Sequence, residues 1–299
     1  MSHAALTRIK RCRPLLGTFV EITLEAERDE AALHKIADKA FGMIASVQKL
    51  MSFHHKDSDV SRINRCAHIS PLRVHSWTHQ VLAQAVELSA QTEGAFDISI
   101  TPKLVKWDYL PKTQTLPEAA VSWQDIVLNP DCTVFFERPL MIDLGGIAKG
   151  FAVDKAIDYL STKGITRAVV NAGGDMRVLG TGPHAIGVRH PGAPQEAVVP
   201  AVMPRSAVAT SAGYFANRKV HGQRVSPIVH PRTGKPLRST RSVSIFSSTC
   251  MMADALTKAV LLAPQDVWTK VLAARDSLAL FVSSRGDETH FPALGVTQI

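Results

Sequence analysis

The sequence predicts an α+β fold built from mixed, largely antiparallel sheets packed with helices. Strand-like and helix-like segments are intermixed without the strict alternation of a doubly wound sheet. Short apolar runs at 167–170, 176–179, 197–203 and 206–210 are separated by turn residues, as in a meander of strands. At 299 residues the chain can bury a large core. No internal repeat, low-complexity tract or linker interrupts it, so residues 1–299 read as one domain of two intimately fused lobes.

The elements follow from periodicity. Residues 18–26 (TFVEITLEA) alternate apolar and polar side chains, the pattern of a half-buried strand. Residues 29–50 carry Ala32, Ile36, Ala40, Ile44, Val47 and Leu50 at helical spacing, with Asp29 placed to cap. The polar stretch 51–64 reads as a loop, and 77–92 as a second helix ending before Gly94. Pro102, Pro111 and Pro117 make 101–121 read as irregular. Strands are expected at 133–136 and 141–144, then a helix over about 147–163 that stops at Gly164. Residues 211–240, rich in Gly, Pro, Arg and Lys, read as a long functional loop or hairpin. A strand at 242–247, helices at 251–262 and 264–274, and a closing strand at 278–283 complete the chain.

Composition narrows the function classes. Hydrophobic residues make up 45% and charged residues 20%, the balance of a globular protein. No run of about 18 uncharged apolar residues occurs, so no membrane span is expected. The net charge of +8 attracts phosphorylated ligands and nucleic acid alike. Lys10, Arg11 and Arg13 cluster, but no helix-turn-helix or zinc-finger spacing accompanies them, so nucleic acid is not the expected partner. Cys12, Cys66, Cys132 and Cys250 form no CxxC motif and suit a reducing compartment. The N-terminal segment has no apolar core of a secretion signal, so the chain reads as cytoplasmic as given, and as periplasmic if an export segment has been trimmed.

Four segments concentrate chemistry. In IDLGGIAKGFAVDKAID (142–158), a strand runs into Gly145-Gly146 and a helix start, where free amides favour phosphate. Lys149 adds a charge there, and Lys149 and Asp154 can both face a ligand. The plainer reading is a glycine-rich turn with a solvated lysine. The spacing fits neither GxxxxGK[ST] nor GxGxxG. VVNAGGDMRVLG (169–180) holds Asn171, Gly173, Gly174 and Asp175 between apolar runs, and also reads as an ordinary hairpin turn. In SPIVHPRTGKP (226–236), Pro231, Gly234 and Pro236 make a rigid turn from which Arg232 and Thr233 can reach a phosphate or a ring edge. In TCMMADALTKAVLL (249–262), Asp254 is the only acid on an apolar helix and needs a partner or a metal. The alternative is an Asp254–Lys258 surface pair.

In that order, these segments are similar to the FAD:protein FMN transferase (ApbE) family. RPLLGTFVEI (13–22) resembles the family's opening strand. MSFHHKDSDVSRIN resembles its Met-Ser…Asp-Ser…Asn loop through Met51, Ser52, Asp57, Ser58 and Asn64. GAFDISITPKLVKW (94–107) resembles the segment from Gly-x-Phe-Asp to a Trp, and AVATSAGY (207–214) its Thr-Ser turn. The resemblance covers nearly the whole chain and implies a T-fold-like architecture. It implies binding of FAD and a magnesium ion, and transfer of FMN from FAD to a Thr or Ser of an acceptor flavoprotein with release of AMP. FAD hydrolysis and non-catalytic flavin carriage or sensing are the alternatives.

Carried over by position, the resemblance makes Met51, Ser52, His54 and Asp97 flavin-binding residues in the N-terminal half. In the centre it marks Lys149, Asp154, Asn171, Gly173, Gly174 and Asp175, and further on Thr210, Ser211, Thr233 and Gly234. The Ala148 carbonyl and the Asp254 carboxylate become metal ligands. Lys258 stands where the family has a Thr, and an ammonium has no lone pair for a metal. Thr257 could substitute after a small rotation, but the preferred expectation is that the Lys258 ammonium occupies or abuts the metal position and replaces its charge. Asp254, Lys258 and His230 are the catalytic candidates. Pro227 stands at the family's His, leaving His230 as base if the loop bends, with His221 a second option. His54 replaces a family Tyr, and Ala212 a frequent Gly.

Overall fold

The alternation in TFVEITLEA buries Val20, Ile22, Leu24 and Ala26 on one face of a strand. In the computed structural model, which describes residues 6–112, 121–181, 184–191, 198–203, 205–213, 217–220 and 222–291, that strand lies second in an eight-stranded sheet. The first half of the chain forms β1 (Thr7–Leu15), β2 (Thr18–Ala26), α1 (Glu30–Met51), α2 (Asp59–Cys66), β3 (Leu72–Arg73), α3 (Ser76–Gln91), α4 (Thr101–Lys106), β4 (Ile126–Leu128), β5 (Thr133–Phe136) and α5 (Ala148–Thr162). Then come β6 (Arg167–Ala172), β7 (Asp175–Leu179), β8 (Ala185–Arg189), β9 (Val198–Val202), β10 (Ala207–Ala212), β11 (Arg218–Val220) and β12 (Gln223–Val225). The last elements are β13 (Ser242–Ser247), α6 (Cys250–Leu262), α7 (Gln265–Ala274), β14 (Leu278–Val282) and β15 (Glu288–Phe291).

The large sheet runs β1-β2-β6-β7-β10-β13-β14-β15, and every neighbouring pair is antiparallel. A three-stranded sheet β3-β5-β4 and the hairpins β8–β9 and β11–β12 flank it. The expected α+β, largely antiparallel architecture is therefore the observed one. Helices α1, α5 and α6 cover one face of the large sheet, and their apolar stripes join Val20, Val170, Val243 and Ile245 in the main core. A smaller cluster on the other face joins Val208, Phe246 and Leu280 to Val188 of β8. Strand β13 is buried at every position because both faces are covered.

Most expected elements are present within a residue or two. Asp29 caps α1 through a 2.8 Å bond from the Ala32 amide. Four readings need correction. The expected loop 51–64 contains α2, capped by Ser58 and burying Val60 and Ile63. The stretch 101–121 begins with α4, where Pro102 occupies the first turn, which needs no amide donor. Its residues 113–120 lie outside the described residues. Segment 141–144 is buried but makes no ladder: Ile142 exchanges both backbone bonds with the Asn64 side chain, at 2.8 and 3.0 Å. Strand β1 escaped the sequence reading because it is an edge strand, where Ile9 alone is buried among alternating cations. Its two-residue turn, Leu16-Gly17, takes positive φ at both positions, 57° and 71°, as tight antiparallel hairpins favour.

Helices α5 and α6 approach each other closely at Gly150. A Cβ placed on Gly150 would stand 2.2 Å from the Cys250 carbonyl oxygen and 2.7 Å from the Met251 nitrogen. Both are backbone atoms, so neither can turn aside. The contact is closed by Asp154 of α5, whose carboxylate accepts the Cys250 and Met251 amides at 2.8 Å each and so caps α6. Arg177 of β7 donates to the same carboxylate at 3.0 Å. Replacing Gly150 with Ala should force the helices apart and lower stability by about 3 kcal/mol or more. Denaturant unfolding of Gly150→Ala against wild type checks this, and an unchanged midpoint would contradict the packing described.

Candidate functional site

The turns leading into α5 and between β6 and β7 face a cleft of about 960 Å3. That is near the upper end of the roughly 300–1,000 Å3 typical of small-molecule sites. One wall comprises Gly145, Gly146 and Lys149 from the start of α5, with Lys258 and Leu262 from α6. A second is the β6–β7 turn, with Asn171, Gly173 and Gly174 beside Thr18, Phe19 and Glu21 of β2. The rest comes from the Ala95–Ile98 segment, Tyr109, β8, β10 and the 227–231 loop.

The glycine turns are held open by local bonds. Asn171 Oδ1 accepts the Gly174 amide at 2.8 Å, and Gly173, at φ 63°, donates to the Phe19 carbonyl at 3.2 Å. A Cβ on Gly173 would meet Thr18 Oγ1 at 2.6 Å, so only glycine fits this turn against β2. At the other wall the Gly150 amide leaves the regular helical pattern and donates to Asp254 Oδ2 at 3.1 Å. The carbonyl four residues back, that of Gly146, is thereby released from helical pairing.

Behind the glycines lie two interlocked ion pairs. Lys149 Nζ donates to Asp175 Oδ2, and Lys258 Nζ donates to Asp254 Oδ1 and, at 2.9 Å, to the Asp254 carbonyl. Asp175 is 2% exposed and Asp254 fully buried, so both carboxylates need these cations. Burial alone would push the Lys149 ammonium down, but Asp175 and Asp254 outweigh it and raise its pKa, so it stays charged. Burial and the proximity of Asp254 push the Asp175 carboxyl up, against the pull of Lys149 and Lys258.

Of the residues singled out in the sequence, Asp97, Lys149, Asn171, Gly173, Gly174, Thr210, Ser211 and Lys258 line the cleft. Asp175 and Asp254 stand directly behind it. Others belong elsewhere. Asp154 does not face a ligand, because its oxygens cap α6 and bind Arg177. Met51 is a core residue, and Ser52 and His54 form a turn in which the His54 amide donates to Ser52 Oγ at 3.2 Å. His230 is not on the cleft: its Nδ1 accepts the Arg232 and Thr233 amides at 3.2 and 3.4 Å and shapes the loop. Burial and Arg232 hold its pKa below the ordinary histidine range. Thr233 is exposed at the loop tip, and the Gly234 carbonyl accepts Trp107 Nε1 at 2.9 Å. Pro227 and Pro231 face the cleft in their place. His221 lies outside the described residues.

The inferred metal ligands do not form an available oxygen set. Ala148 opens α5, so its carbonyl accepts within the helix. The Thr257 hydroxyl donates to the Asp254 carbonyl at 2.7 Å and meets Ser211 Oγ at 2.7 Å. Both Asp254 carboxylate oxygens are engaged, one by Gly150 and one by Lys258. Among the described residues no group of three or more His, Cys, Asp or Glu side chains is arranged to hold a metal. Magnesium therefore does not fit the residues as they stand.

The sequence reading missed Asp143. It lines the cleft two residues before Gly145, whose amide it accepts at 3.0 Å. Its amide donates to the Ile98 carbonyl at 2.9 Å, which puts it beside the Asp97 segment. Burial raises the pKa of both carboxyls. The only signal in the sequence was its place before the glycine pair.

Fold and site together define an antiparallel-sheet protein with a cleft walled in part by glycines and lysines. The chain belongs to the ApbE family, whose profile matches residues 16–282. It is 28% identical to the FAD:protein FMN transferase of Vibrio cholerae over 290 residues, covering 92% of this chain and 87% of that one. It is 29% identical to a Klebsiella pneumoniae protein of the same name, covering 86% and 79%. The ApbE protein of Thermotoga maritima superposes with a TM-score of 0.81 at 27% identity, covering 95% and 96% of the two chains. The flavin transferase ApbE from Vibrio cholerae gives 0.79 at 25% identity, covering 96% and 97%. Among the described residues no helix is long and apolar enough to cross a membrane.

Because burial disfavours the charged form of Asp143, its folded-state pKa lies above that of the unfolded chain. Below the ordinary carboxylate range the group is neutral in both states and costs nothing. Above its folded pKa the native state holds the unfavourable charge. Asp143→Asn should therefore raise the melting temperature at neutral pH, with the gain vanishing as pH falls through the carboxylate range. A gain that grew toward acid pH would contradict this assignment.

Proposed function

We propose that this protein transfers the FMN half of FAD to a Thr or Ser hydroxyl of an acceptor flavoprotein and releases AMP. The observation that carries the reading is the cleft wall formed by the Gly145-Gly146 turn, Lys149 and Lys258, which faces the Gly173-Gly174 turn. The relatives named for this reaction, over most of their length, support it. FAD is the substrate in this reading, and a cleft of about 960 Å3 suits a large small-molecule ligand.

In this reaction the acceptor oxygen attacks the flavin-side phosphorus. A new P–O ester bond forms, and the bond from that phosphorus to the bridging oxygen breaks. AMP leaves with the bridging oxygen, and the hydroxyl proton passes to a base. Negative charge builds on the phosphoryl oxygens, and fixed amides and ammonium groups stabilise it there without reorganising. Lys149, held charged by Asp175, supplies that field from the cleft wall. With His230 turned into its loop and proline at 227, we assign the proton acceptor to Asp143, since Asp97 Oδ1 is taken by the Ser99 amide and hydroxyl and Glu21 pairs with Lys10. Backbone amides, rather than a lysine or arginine, meet its carboxylate, and its raised pKa brings it closer to neutral pH. The magnesium that the family resemblance brings is not used in any of these steps.

The test is incubation with FAD and an acceptor peptide bearing the target Thr or Ser, followed by mass spectrometry. AMP together with an FMN-modified peptide is the expected result. AMP with free FMN would make the protein a hydrolase, and intact bound FAD under all conditions would make it a carrier or sensor. Lys149→Ala should lower AMP release on the order of 10²-fold or more. Asp143→Asn should lower kcat by about 10²-fold or more with FAD affinity nearly unchanged.

A further inference from the structure

We infer that Lys258 is the resident cation of this site, closing it to divalent metal ions and supplying in their place a positive charge at the FAD pyrophosphate. The part concerning the pyrophosphate rests on the transferase reading above. The exclusion of metal does not.

A hard divalent cation needs several free oxygens at once. Here all three Asp254 oxygens are committed, and so are Asp175 Oδ2 and the Thr257 hydroxyl. Lys258 Nζ takes Asp254 Oδ1 and the Asp254 carbonyl, and Gly150 takes Oδ2. Lys149 takes Asp175 Oδ2, and the Thr257 hydroxyl is spent on the Asp254 carbonyl. The two lysines and two aspartates sum to zero charge, so the cluster offers no net attraction to a divalent ion, and Lys258 repels one.

The arrangement is enforced locally. Lys258 lies four residues after Asp254 on α6, so its side chain shares that helical face. Its stem passes Gly146 closely: a Cβ there would meet Lys258 Cε at 3.8 Å. The ammonium thus sits against the buried carboxylate and the Asp254 carbonyl, and the residue lines the cleft. Removing it frees Asp254 Oδ1 and one acceptor site of the Asp254 carbonyl. The hydroxyl that Lys258→Thr introduces would add a third oxygen.

The experiment is calorimetric titration of magnesium into wild type and Lys258→Thr, each with and without FAD. Wild type should show no saturable binding, whereas Lys258→Thr should bind saturably and at least about tenfold tighter. Tight, FAD-dependent magnesium binding to wild type would overturn the inference, and so would a well-folded Lys258→Thr that binds no better than wild type. Should Lys258→Thr fail to fold, FMN transfer by wild type decides: equal rates in EDTA and in magnesium support the inference, and loss in EDTA refutes it. Lys258→Met should lower transfer on the order of 10²-fold in either medium. A wild type that excludes magnesium and binds FAD, yet transfers nothing, would sink the transferase reading while leaving the metal exclusion intact.

Discussion

The structure depends on the crossing of α5 and α6 at Gly150. There the first turn of α5 touches the backbone at the start of α6, closer than any side chain would permit. The consequences are electrostatic as much as steric. Asp154 reaches across to cap α6, and the Gly150 amide reaches across to Asp254. Each helix satisfies first-turn amides of the other. This contact sets the distance between Lys149 on one helix and Asp254 and Lys258 on the other.

The cleft chemistry follows from that spacing. Buried carboxylates at Asp175 and Asp254 are tolerable only because an ammonium meets each one. The same ammonium groups belong to residues on the cleft wall, where a pyrophosphate would lie. The acids thus orient both lysines before a ligand arrives, and they keep Lys149 charged. Such preorganisation suits phosphoryl transfer, in which the protein's work is positioning and charge stabilisation rather than covalent chemistry. The positive field is built from side chains of the chain itself.

The 227–236 loop shows how a local bond can redirect a residue's role. His230 has the chemistry of a base, yet the amides of Arg232 and Thr233 converge on its Nδ1 and fold the loop around it. The loop then presents Pro227, Ile228, Val229 and Pro231 to the cleft, an apolar surface rather than a proton acceptor. Asp143 also lines the cleft, its carboxylate met by the Gly145 amide with His54 as the nearby charge.

Much was legible in the sequence because it is written in local periodicity. The helical spacing of α1, α5 and α6, the alternation of β2 and the order of the glycine motifs depend on neighbours within a few residues. The Asp254–Lys258 pairing is likewise a one-turn helical relation. What the sequence could not determine were partners far along the chain. Ile142 finds Asn64, and Asp154 finds the start of α6, across separations that no periodicity encodes. For that reason Asp154 read as a ligand contact and proved to be a helix cap, while 141–144 read as a strand and proved to be clamped by one side chain. Edge strand β1 carried almost no apolar signal, because an edge needs little burial. Sequence alone determined which residues can carry charge, cap a helix or turn a chain. The tertiary structure decided which of those capacities was spent on folding and which remained for the cleft, because a buried donor or acceptor must be satisfied by whatever group packing brings to it.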